Sequence, residues 1–403
     1  MKKYFWKSIL LCLIFSSGIG MAQTFSNYTT AEGLPDNNVM AVVVDGHHWK
    51  WFGTQNGLAK FDDVNWTVYT TADGLVDNYI NCLTVDQNNN IWVGTDFGAS
   101  KFDGSTWTNY TSSNGLANNT VTDIAIDIDG STWFGTNNGL SHLAGNTWTS
   151  YTTANGLANN MVSTLAIDAG GNKWIGTWIG GLSKFDGSNF TTFSTSQNLV
   201  DNNITALGID ALGNKWIGTY YGITVLNSND AWTANYVQAD GLYNNYIQDI
   251  VFDTYNTKWI GIFADYITDG AVTRYTGSNW ASYSVPEGLV DRMVNQLAID
   301  QGTIIWVATG NGVSRIDNAT GIASPLADSQ FSVYPNPAAV SFTIPAHNKT
   351  VKVTMLDITG NMIETSTLAP GTDRIDIADL KAGIYFLQIT TNDKSYSTKL
   401  IKL

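Results

Sequence analysis

A short motif, Trp-x-Gly-Thr or a close variant of it, occurs seven times in this chain at nearly constant spacing. Its tryptophans are Trp51, Trp92, Trp133, Trp174, Trp216, Trp259 and Trp306. The intervals between them are 41, 41, 41, 42, 43 and 47 residues, which is the length of one four-stranded blade of a β-propeller. The repeat therefore predicts an all-β chain containing a seven-bladed β-propeller.

The second repeat unit shows how each copy divides into four strands. Runs rich in β-branched and aromatic residues cover 80–86, 91–95, 99–103 and 107–111, and turn-forming residues separate them. Such turns join neighbouring strands as hairpins, so each unit is predicted to be an antiparallel meander. No segment beyond residue 22 shows a sustained 3.6-residue apolar period, and we expect few helices.

The ring is predicted to close by strand exchange between the two ends of the propeller at 23–317. The seventh unit stops near Asp317 without a fourth strand, whereas the segment 25–30, Phe-Ser-Asn-Tyr-Thr-Thr, matches the fourth strands of other units. Pairing this N-terminal strand with the last blade would remove two exposed strand edges.

The N-terminal residues 1–22 have the pattern of a removable signal peptide. Lys2, Lys3 and Lys7 precede an apolar run over 9–19, and small residues follow it. The run is too short to span a membrane and no later segment is longer, so we expect no transmembrane segment in the mature chain. Removal of this leader leaves Cys82 as the only cysteine, which excludes an intrachain disulfide.

Charge is distributed unevenly along the chain. Acidic residues outnumber basic residues 28 to 10 over 23–328, while 329–403 has 7 basic and 6 acidic residues. An acidic propeller repels phosphate groups, so nucleic acid and anionic lipid are not expected as partners.

A change in composition over 318–330 predicts a linker, and 331–403 predicts a small Ig-like β-sandwich. Four motifs occur in order in this last segment: Tyr334-Pro335-Asn336-Pro337, Asp357-Ile358-Thr359-Gly360, Leu380-Lys381-Ala382-Gly383-Ile384-Tyr385 and Lys399-Leu400-Ile401-Lys402-Leu403. The segment resembles the C-terminal sorting domain of the type IX secretion system, the Por secretion tail. That resemblance implies the secretion machinery as a partner, export to the outer-membrane surface or beyond it, and removal of the tail.

The repeats in turn resemble the two-component regulator propeller family. The second unit contains Gly74-Leu75, Asn78, Asp86, Trp92-Val93-Gly94-Thr95 and Phe102-Asp103-Gly104 in the order of that family's pattern. Well-known members are sensors joined to a transmembrane helix and a histidine kinase. Neither follows the propeller here, so the resemblance implies only the fold and a capacity to bind extracellular ligands.

Candidate binding residues cluster on one face of the predicted propeller. In a blade, the loop between the second and third strands shares a face with the connection into the next blade. The candidates at the loop tips are Phe97, Trp178, Tyr220, Tyr221, Phe263 and Tyr266. Those in the connections are Tyr79, Tyr243, Tyr246 and Arg292. Arg292 interrupts an Asx-Asn pair that recurs in the other connections, and we interpret that pair as a structural turn cap.

These aromatic residues suit two interpretations. Rings flanked by Asn, Asp and Tyr can stack on sugars or anchor a peptide, or they can fold over and cover the rim between blades. The motif tryptophans and Trp66, Trp107, Trp148, Trp232 and Trp280 are instead predicted to be core residues.

The pattern for catalysis is weak, and we expect no catalytic residue, metal or cofactor. The chain has only four histidines, and no nucleophile, zinc or phosphate-loop spacing is present. Asp127-Ile128-Asp129-Gly130 resembles a calcium loop but aligns with repeat turns elsewhere. Asp123 and Asp249, on the inner strands of blades 3 and 6, could bind a cation or act as an acid/base pair, but they lie nearly opposite, which predicts too large a separation.

The favoured function is therefore that of a secreted or surface-attached binding module for an extracellular glycan or a protein. The alternatives are a propeller polysaccharide lyase or glycoside hydrolase, and a sensor that acts with a separate membrane protein.

Overall fold

The computed structural model of the chain describes residues 23–264, 268–317, 338–344, 350–356, 362–370, 374–390 and 395–402. The predicted signal peptide, the predicted linker and Tyr266 lie outside these residues. One compact unit covers Thr24–Asn318 and a second contains the C-terminal residues from Ala319, and each is described by itself.

The first unit is a β-propeller, as predicted. The strand β1 (Thr24–Tyr28) precedes six blades that follow each other along the chain. Blades 1 to 3 are β2 (Val39–Val44), β3 (Lys50–Thr54), β4 (Gly57–Phe61), β5 (Trp66–Tyr69); β6 (Ile80–Val85), β7 (Ile91–Thr95), β8 (Gly98–Phe102), β9 (Trp107–Tyr110); and β10 (Val121–Ile126), β11 (Thr132–Thr136), β12 (Gly139–Ala144), β13 (Thr147–Tyr151).

Blades 4 to 6 repeat this meander with small changes in strand length. They are β14 (Val162–Ile167), β15 (Lys173–Thr177), β16 (Gly181–Phe185), β17 (Phe190–Phe193); β18 (Ile204–Ile209), β19 (Lys215–Thr219), β20 (Gly222–Leu226), β21 (Trp232–Tyr236); and β22 (Ile247–Phe252), β23 (Lys258–Ile262), β24 (Ala271–Tyr275), β25 (Trp280–Tyr283). All neighbouring strands within a blade are antiparallel.

Blade 7 confirms the predicted strand exchange. It comprises β26 (Val294–Asp300), β27 (Ile304–Thr309) and β28 (Gly312–Asp317), and β1 pairs with β28 from Thr24 opposite Asp317 to Tyr28 opposite Val313. The ring of Tyr28 lies 5.5 Å from that of Trp306. The fourth strand of the last blade therefore comes from the other end of the propeller, which joins the ends of the ring.

Polar side chains on the inner strands connect most neighbouring blades. At the second position of an inner strand, five side chains donate hydrogen bonds to the first carbonyl of the next inner strand: Asn81 to Val121, Thr122 to Val162, Ser163 to Ile204, Thr205 to Ile247 and Asn295 to Val39. The last of these bonds crosses the closure between blades 7 and 1. Because each bond satisfies a strand-end carbonyl, the column stabilises the ring.

The hydrophobic cores lie between blades rather than within them. One contains Trp51 and Leu58 of blade 1 together with Ile80 and Phe102 of blade 2, and equivalent clusters occupy the other interfaces. The motif tryptophans are buried as predicted. The prediction was wrong for Trp232, which is 46% exposed. Trp232 pairs with Leu226 next to a register shift between β20 and β21.

The motif tryptophans are also held by a polar contact. In blade 1, Trp51 Nε1 donates to Asp45 Oδ2 at 2.9 Å, and the turn between the first two strands supplies that aspartate. The same bond joins Trp92 to Asp86, Trp174 to Asp168, Trp216 to Asp210 and Trp259 to Asp253. Blades 3 and 7 lack it, and Trp133 Nε1 and Trp306 Nε1 have no partner within the described residues.

The connections between blades contain the recurrent Gly-Leu pair. Short 3₁₀ turns occupy Thr71–Asp73, Thr153–Asn155, Thr195–Gln197, Gln238–Asp240 and Val285–Glu287. Gly74, with φ of 117°, follows the first of them, and a Cβ atom there would lie 2.9 Å from the Trp107 ring. Leu75 is buried against the next blade. This position therefore needs glycine both for its left-handed backbone and for the approach of Trp107.

The C-terminal unit is a small two-sheet β structure, in agreement with the predicted sandwich. Its strands are β29 (Ser341–Thr343), β30 (Val351–Leu356), β31 (Met362–Leu368), β32 (Arg374–Asp376), β33 (Gly383–Thr390) and β34 (Ser395–Lys402). The order β31-β30-β33-β34 forms one sheet, and β29 pairs with β32. Phe342, Val353 and Leu387 are among its buried core residues. In the described parts of the chain, no helix has the length and apolar character needed to cross a membrane.

Candidate functional site

The tips that follow the second strands and the connections between blades meet on one face of the propeller, which we call the loop face. In blade 1, Gly57 N donates to Asn78 O, and Thr71 N donates to Asn78 Oδ1. The second Asn of the Asx-Asn pair accepts the same backbone N–H at six connections, from Asn37 to Asn245. This column is therefore structural, and Arg292 takes its place before blade 7.

Four of the predicted aromatic residues form a continuous row on the loop face across blades 4 to 6. The ring centroids of Trp178 and Tyr220 are 5.6 Å apart, and those of Tyr220 and Tyr246 are 4.4 Å apart, both edge to face. Tyr246 and Phe263 follow at 4.9 Å. We call Trp178, Tyr220, Tyr246 and Phe263 the aromatic row. Such edge-to-face pairs hold each ring in a defined orientation.

Exposure divides the row and its surroundings into a supporting part and a solvent-facing part. Tyr220, Tyr246 and Phe263 are half-buried, so rim packing accounts for much of their surface. Trp178 is 40% exposed, and the adjacent Tyr221 is 62% exposed. Burial raises the pKa of Tyr246, and a hydrogen bond with Tyr220 adds to the effect, so this hydroxyl stays neutral over the physiological range.

Two exposed apolar residues beside Trp178 were not among the predicted site residues. Trp178 N donates to Met161 O at 3.0 Å, and Ile179 N donates to Asn203 Oδ1 at 3.2 Å. Ile179 is 68% exposed and has a φ of 55°, which is unfavourable for a β-branched residue. The sequence gives one indication of this difference: the tip after the second strand has three residues in blade 4, whereas most other blades have two.

The remaining predicted residues lie apart from the row. Phe97 is an exposed tip residue of blade 2, and Tyr79 precedes blade 2 and accepts a hydrogen bond from Gln55. Tyr243 and Arg292 line a cavity of about 350 Å³ near blades 6 and 7. Arg292 Nη1 lies 3.0 Å from Asp269 Oδ1, and both side chains are exposed, so this ion pair contributes little to stability.

Asp123 and Asp249 each connect two neighbouring blades. Asp123 Oδ2 accepts from Leu165 N at 2.6 Å, and Asp249 Oδ2 accepts from Leu297 N at 2.8 Å, in each case on the next inner strand. Burial raises the pKa of Asp123 to about 6 and that of Asp249 to about 7. Within the described residues, no group of three or more His, Cys, Asp or Glu side chains could hold a metal ion.

Comparison with protein families identifies both parts of the chain. Residues 332–403 match the family model described as the secretion system C-terminal sorting domain. Residues 74–97 and 115–138 match the two component regulator propeller repeat. The chain thus contains two segments that match regulator propeller repeats and a C-terminal segment that matches a secretion-system sorting domain. Both resemblances seen in the sequence are thus confirmed, and the sorting domain identifies a secreted or cell-surface protein. No curated protein sequence matches the chain significantly.

Solved structures share the fold at low sequence identity. An extracellular domain assigned to a hybrid two-component system of B. thetaiotaomicron matches with a TM-score of 0.65 and 18% identity over 94% of this chain. PorZ, a surface component of the type IX secretion system of Porphyromonas gingivalis, matches with a TM-score of 0.61 and 17% identity over 91% of this chain. The chain spans 57% and 60% of the lengths of these two proteins.

A streptogramin B lyase also shares the propeller fold. It matches 73% of this chain and 98% of its own length, with a TM-score of 0.61 and 13% identity. Identities this low show a common fold and transfer neither a ligand nor a reaction.

Proposed function

We propose that this protein is a secreted binding module whose loop face takes an uncharged extracellular glycan. The observation that carries the proposal is the aromatic row, which ends in the exposed ring of Trp178. Tyr221, next to Tyr220 in the sequence, exposes a further ring. Aromatic faces with adjacent hydrogen-bonding groups are suited to the apolar faces and hydroxyl groups of sugars. The excess of acidic residues in the propeller disfavours an anionic polysaccharide.

The half-buried members of the row support the exposed one. Tyr220 lies between Trp178 and Tyr246, and Phe263 supports Tyr246 from the other side. A ring held by edge-to-face contacts loses little conformational freedom when a ligand stacks on it, which favours binding. In this proposal the half-buried rings of the row pack against the rim, and the exposed ring binds the ligand.

The backbone of Ile179 supports a function for the same tip. A left-handed conformation is unfavourable for a β-branched residue by about 1–2 kcal/mol, and glycine would remove that strain. Conformations of this kind concentrate at binding sites and other functional loops. Ile179 is also largely exposed, so it has little packing energy to offset the strain.

A protein partner is the second candidate for this face. Met161 and Ile179 are exposed next to Trp178, and aliphatic side chains offer no hydrogen bond to a sugar hydroxyl. A surface that mixes aromatic residues with Met and Ile is typical of the centre of a protein interface. A glycan and a protein are therefore alternative ligands for the same residues, and one experiment can distinguish them.

The experiment compares the secreted protein with two variants on a glycan array. The variant Trp178→Ala/Tyr221→Ala removes the two exposed rings, and Tyr255→Ala removes an exposed aromatic ring from a turn on the opposite face. We expect selective binding of an uncharged glycan by the parent and by Tyr255→Ala, with loss in the double variant at unchanged melting temperature. Absence of binding by the parent would refute the glycan proposal, and cross-linking at a photoreactive residue 179 would then test the protein partner.

Export by the type IX machinery, with the sorting domain as the recognised segment, is part of the same proposal. The family match at 332–403 supports it. A chain that ends at residue 331 should be found in the periplasm instead of at the surface. Its appearance at the surface in normal amounts would contradict this role of the domain.

A further inference from the structure

Blade 3 differs from most other blades in having a buried indole N–H without an acceptor. Trp133 is only 3% exposed, and its Nε1 has no partner within the described residues. The aspartate that should accept this bond, Asp127, lies 2.5 Å from Lys173 Nζ of blade 4 instead. A buried N–H without an acceptor is unfavourable, and such a group often marks a place where a ligand or water completes the bonding.

A cavity lies beside Trp133, on the face opposite to the loop face. It has a volume of about 160 Å³, and Asp127, Asp129, Ser131, Trp133, His142 and Tyr151 are among its lining residues. A cavity of roughly this size holds one six-membered ring. It is therefore large enough for one sugar ring and too small for an oligosaccharide.

The cavity owes its shape to one replacement in the repeat. His142 occupies the third-strand position where blades 1, 2 and 4 have Lys60, Lys101 and Lys184. In those blades the lysine lies over the motif tryptophan, as Lys101 does at 5.0 Å from the Trp92 ring. In blade 3 the imidazole stacks on Trp133, with centroids 4.0 Å apart. Lys173 of blade 4 also lies over this ring, with its Nζ 4.9 Å from the centroid. The imidazole is shorter than the third-strand lysine that it replaces, so we expect a lysine at position 142 to reach into the cavity.

The lining groups include donors and acceptors in close proximity. Trp133 offers a donor only, and Asp127 and Asp129 offer acceptors. Burial lowers the pKa of His142, and the nearby Lys173 lowers it further, so at neutral pH the ring is uncharged and offers one donor and one acceptor. The two aspartates would repel a carboxylate or a phosphate, and Lys173 and the indole N–H would repel a cation. A hydroxyl group both donates and accepts, and satisfies all of these partners.

We propose that this cavity is a second binding site that takes one sugar ring or a polyol of similar size. Its hydroxyl groups bond to the carboxylates of Asp127 and Asp129, and on binding the Trp133 side chain shifts so that its buried Nε1 donates to one of them. The site is independent of the loop-face proposal, because it uses different residues on the other face.

Indole N–H signals in a ¹⁵N–¹H NMR spectrum of the secreted protein provide the test. The probes are glucose, galactose, N-acetylglucosamine and glycerol, each in the millimolar range that suits a weak single-ring ligand, with sodium acetate and ammonium chloride as ionic probes. The Trp133 signal is assigned by its loss in Trp133→Phe. We expect at least one sugar or polyol to shift this signal saturably, while the Trp92 and Trp174 signals, bonded to Asp86 and Asp168, stay in place.

The variant His142→Lys is the decisive control, since it restores the residue of blades 1, 2 and 4. It should fold normally and abolish the shift by filling the cavity. The proposal is overturned if no hydroxyl compound moves the Trp133 signal, if only acetate or ammonium does so, or if the shift persists unchanged in His142→Lys.

Discussion

The buried carboxyl of Asp249 should make the propeller less stable as the pH rises from about 5 to 8. Its pKa is raised from 3.8 to about 7, so in this range the folded state binds a proton that the unfolded state has released. The stability that this carboxyl contributes is fully present below its pKa in the unfolded chain, and it is lost as the pH rises through its pKa in the folded protein. The carboxylates with lowered pKa values, such as Asp86, change stability only at lower pH.

The size of the effect follows from the pKa change. A rise of about three in pKa corresponds to about 4 kcal/mol, of which about 2–3 kcal/mol is lost between pH 5 and 8 and the remainder at lower pH. For a unit of roughly 300 residues, a loss of about 2–3 kcal/mol corresponds to a fall of about 3–5 °C in melting temperature. Asp123 should add a smaller change of the same sign, because its pKa is raised to about 6.

Blade 7 supplies a neutral replacement for this test. Gln296 Oε1 accepts the N–H of Val42 at 2.8 Å, which is the bond that Asp249 makes with Leu297. The variant Asp249→Gln should therefore keep the bond and lose the proton linkage. Melting temperatures of parent and variant are measured by tryptophan fluorescence at half-unit steps from pH 4.5 to 8.5. The parent should lose stability relative to the variant as the pH rises.

Taking the difference between the two proteins at each pH cancels groups that do not interact with Asp249, including His142, whose lowered pKa acts in the opposite direction. Asp123, whose charge raises the pKa of Asp249, does not cancel completely. The reverse change, Gln296→Asp, should create a new loss of stability over the same pH range. A constant difference between parent and Asp249→Gln across the range would refute the reasoning, because it would mean that Asp249 has the same pKa in the folded and unfolded states.

Three further results are expected. Replacing Ile179 by Gly should relieve the left-handed strain and raise stability by about 0.5–1 kcal/mol, after the entropy cost of glycine is subtracted. The same change should weaken ligand binding. A lower melting temperature of the variant would contradict this prediction. The change Trp92→Phe breaks a bond to the carboxylate of Asp86 and should be more destabilising than Trp133→Phe by about 1.5–3 kcal/mol, as measured by thermal melts; equal effects would count against the assigned bonding. Deleting 23–28 should open the ring and expose strand edges, which light scattering would detect as self-association, and a stable monomer would show that β1 is dispensable.

Much of the fold could be predicted because each blade is a local structure. A blade needs four short strands and three tight turns, and the residues that form them recur along the chain at the same offsets. Gly74 and Trp107 illustrate this, since both occur in the repeat pattern and their contact follows from the blade geometry. The exchange of β1 into blade 7 was predictable for the same reason, because one unit lacked a strand and the N-terminus had it in excess.

The candidate site was predictable only in part. The tips and connections were expected to share a face, and Trp178, Tyr220, Tyr246 and Phe263 indeed lie together there. The sequence could not separate supporting rings from exposed ones, since that depends on how side chains from different blades pack. Ile179 was missed because its significance lies in a backbone angle, which no residue pattern reveals directly.

The repeat period thus determined the number of blades and their strands, because those depend on interactions within about forty residues. It also indicated the closure of the ring, because a strand missing from the last unit was present at the N-terminus. Only the tertiary structure decided how individual copies differ. In blade 3 the contact of Lys173 with Asp127 leaves the Trp133 indole without its acceptor, although all three residues fit the repeat. The physical reason is that a lysine side chain reaches across a blade interface, where the balance of charge and hydrogen bonding depends on neighbours far apart in the chain.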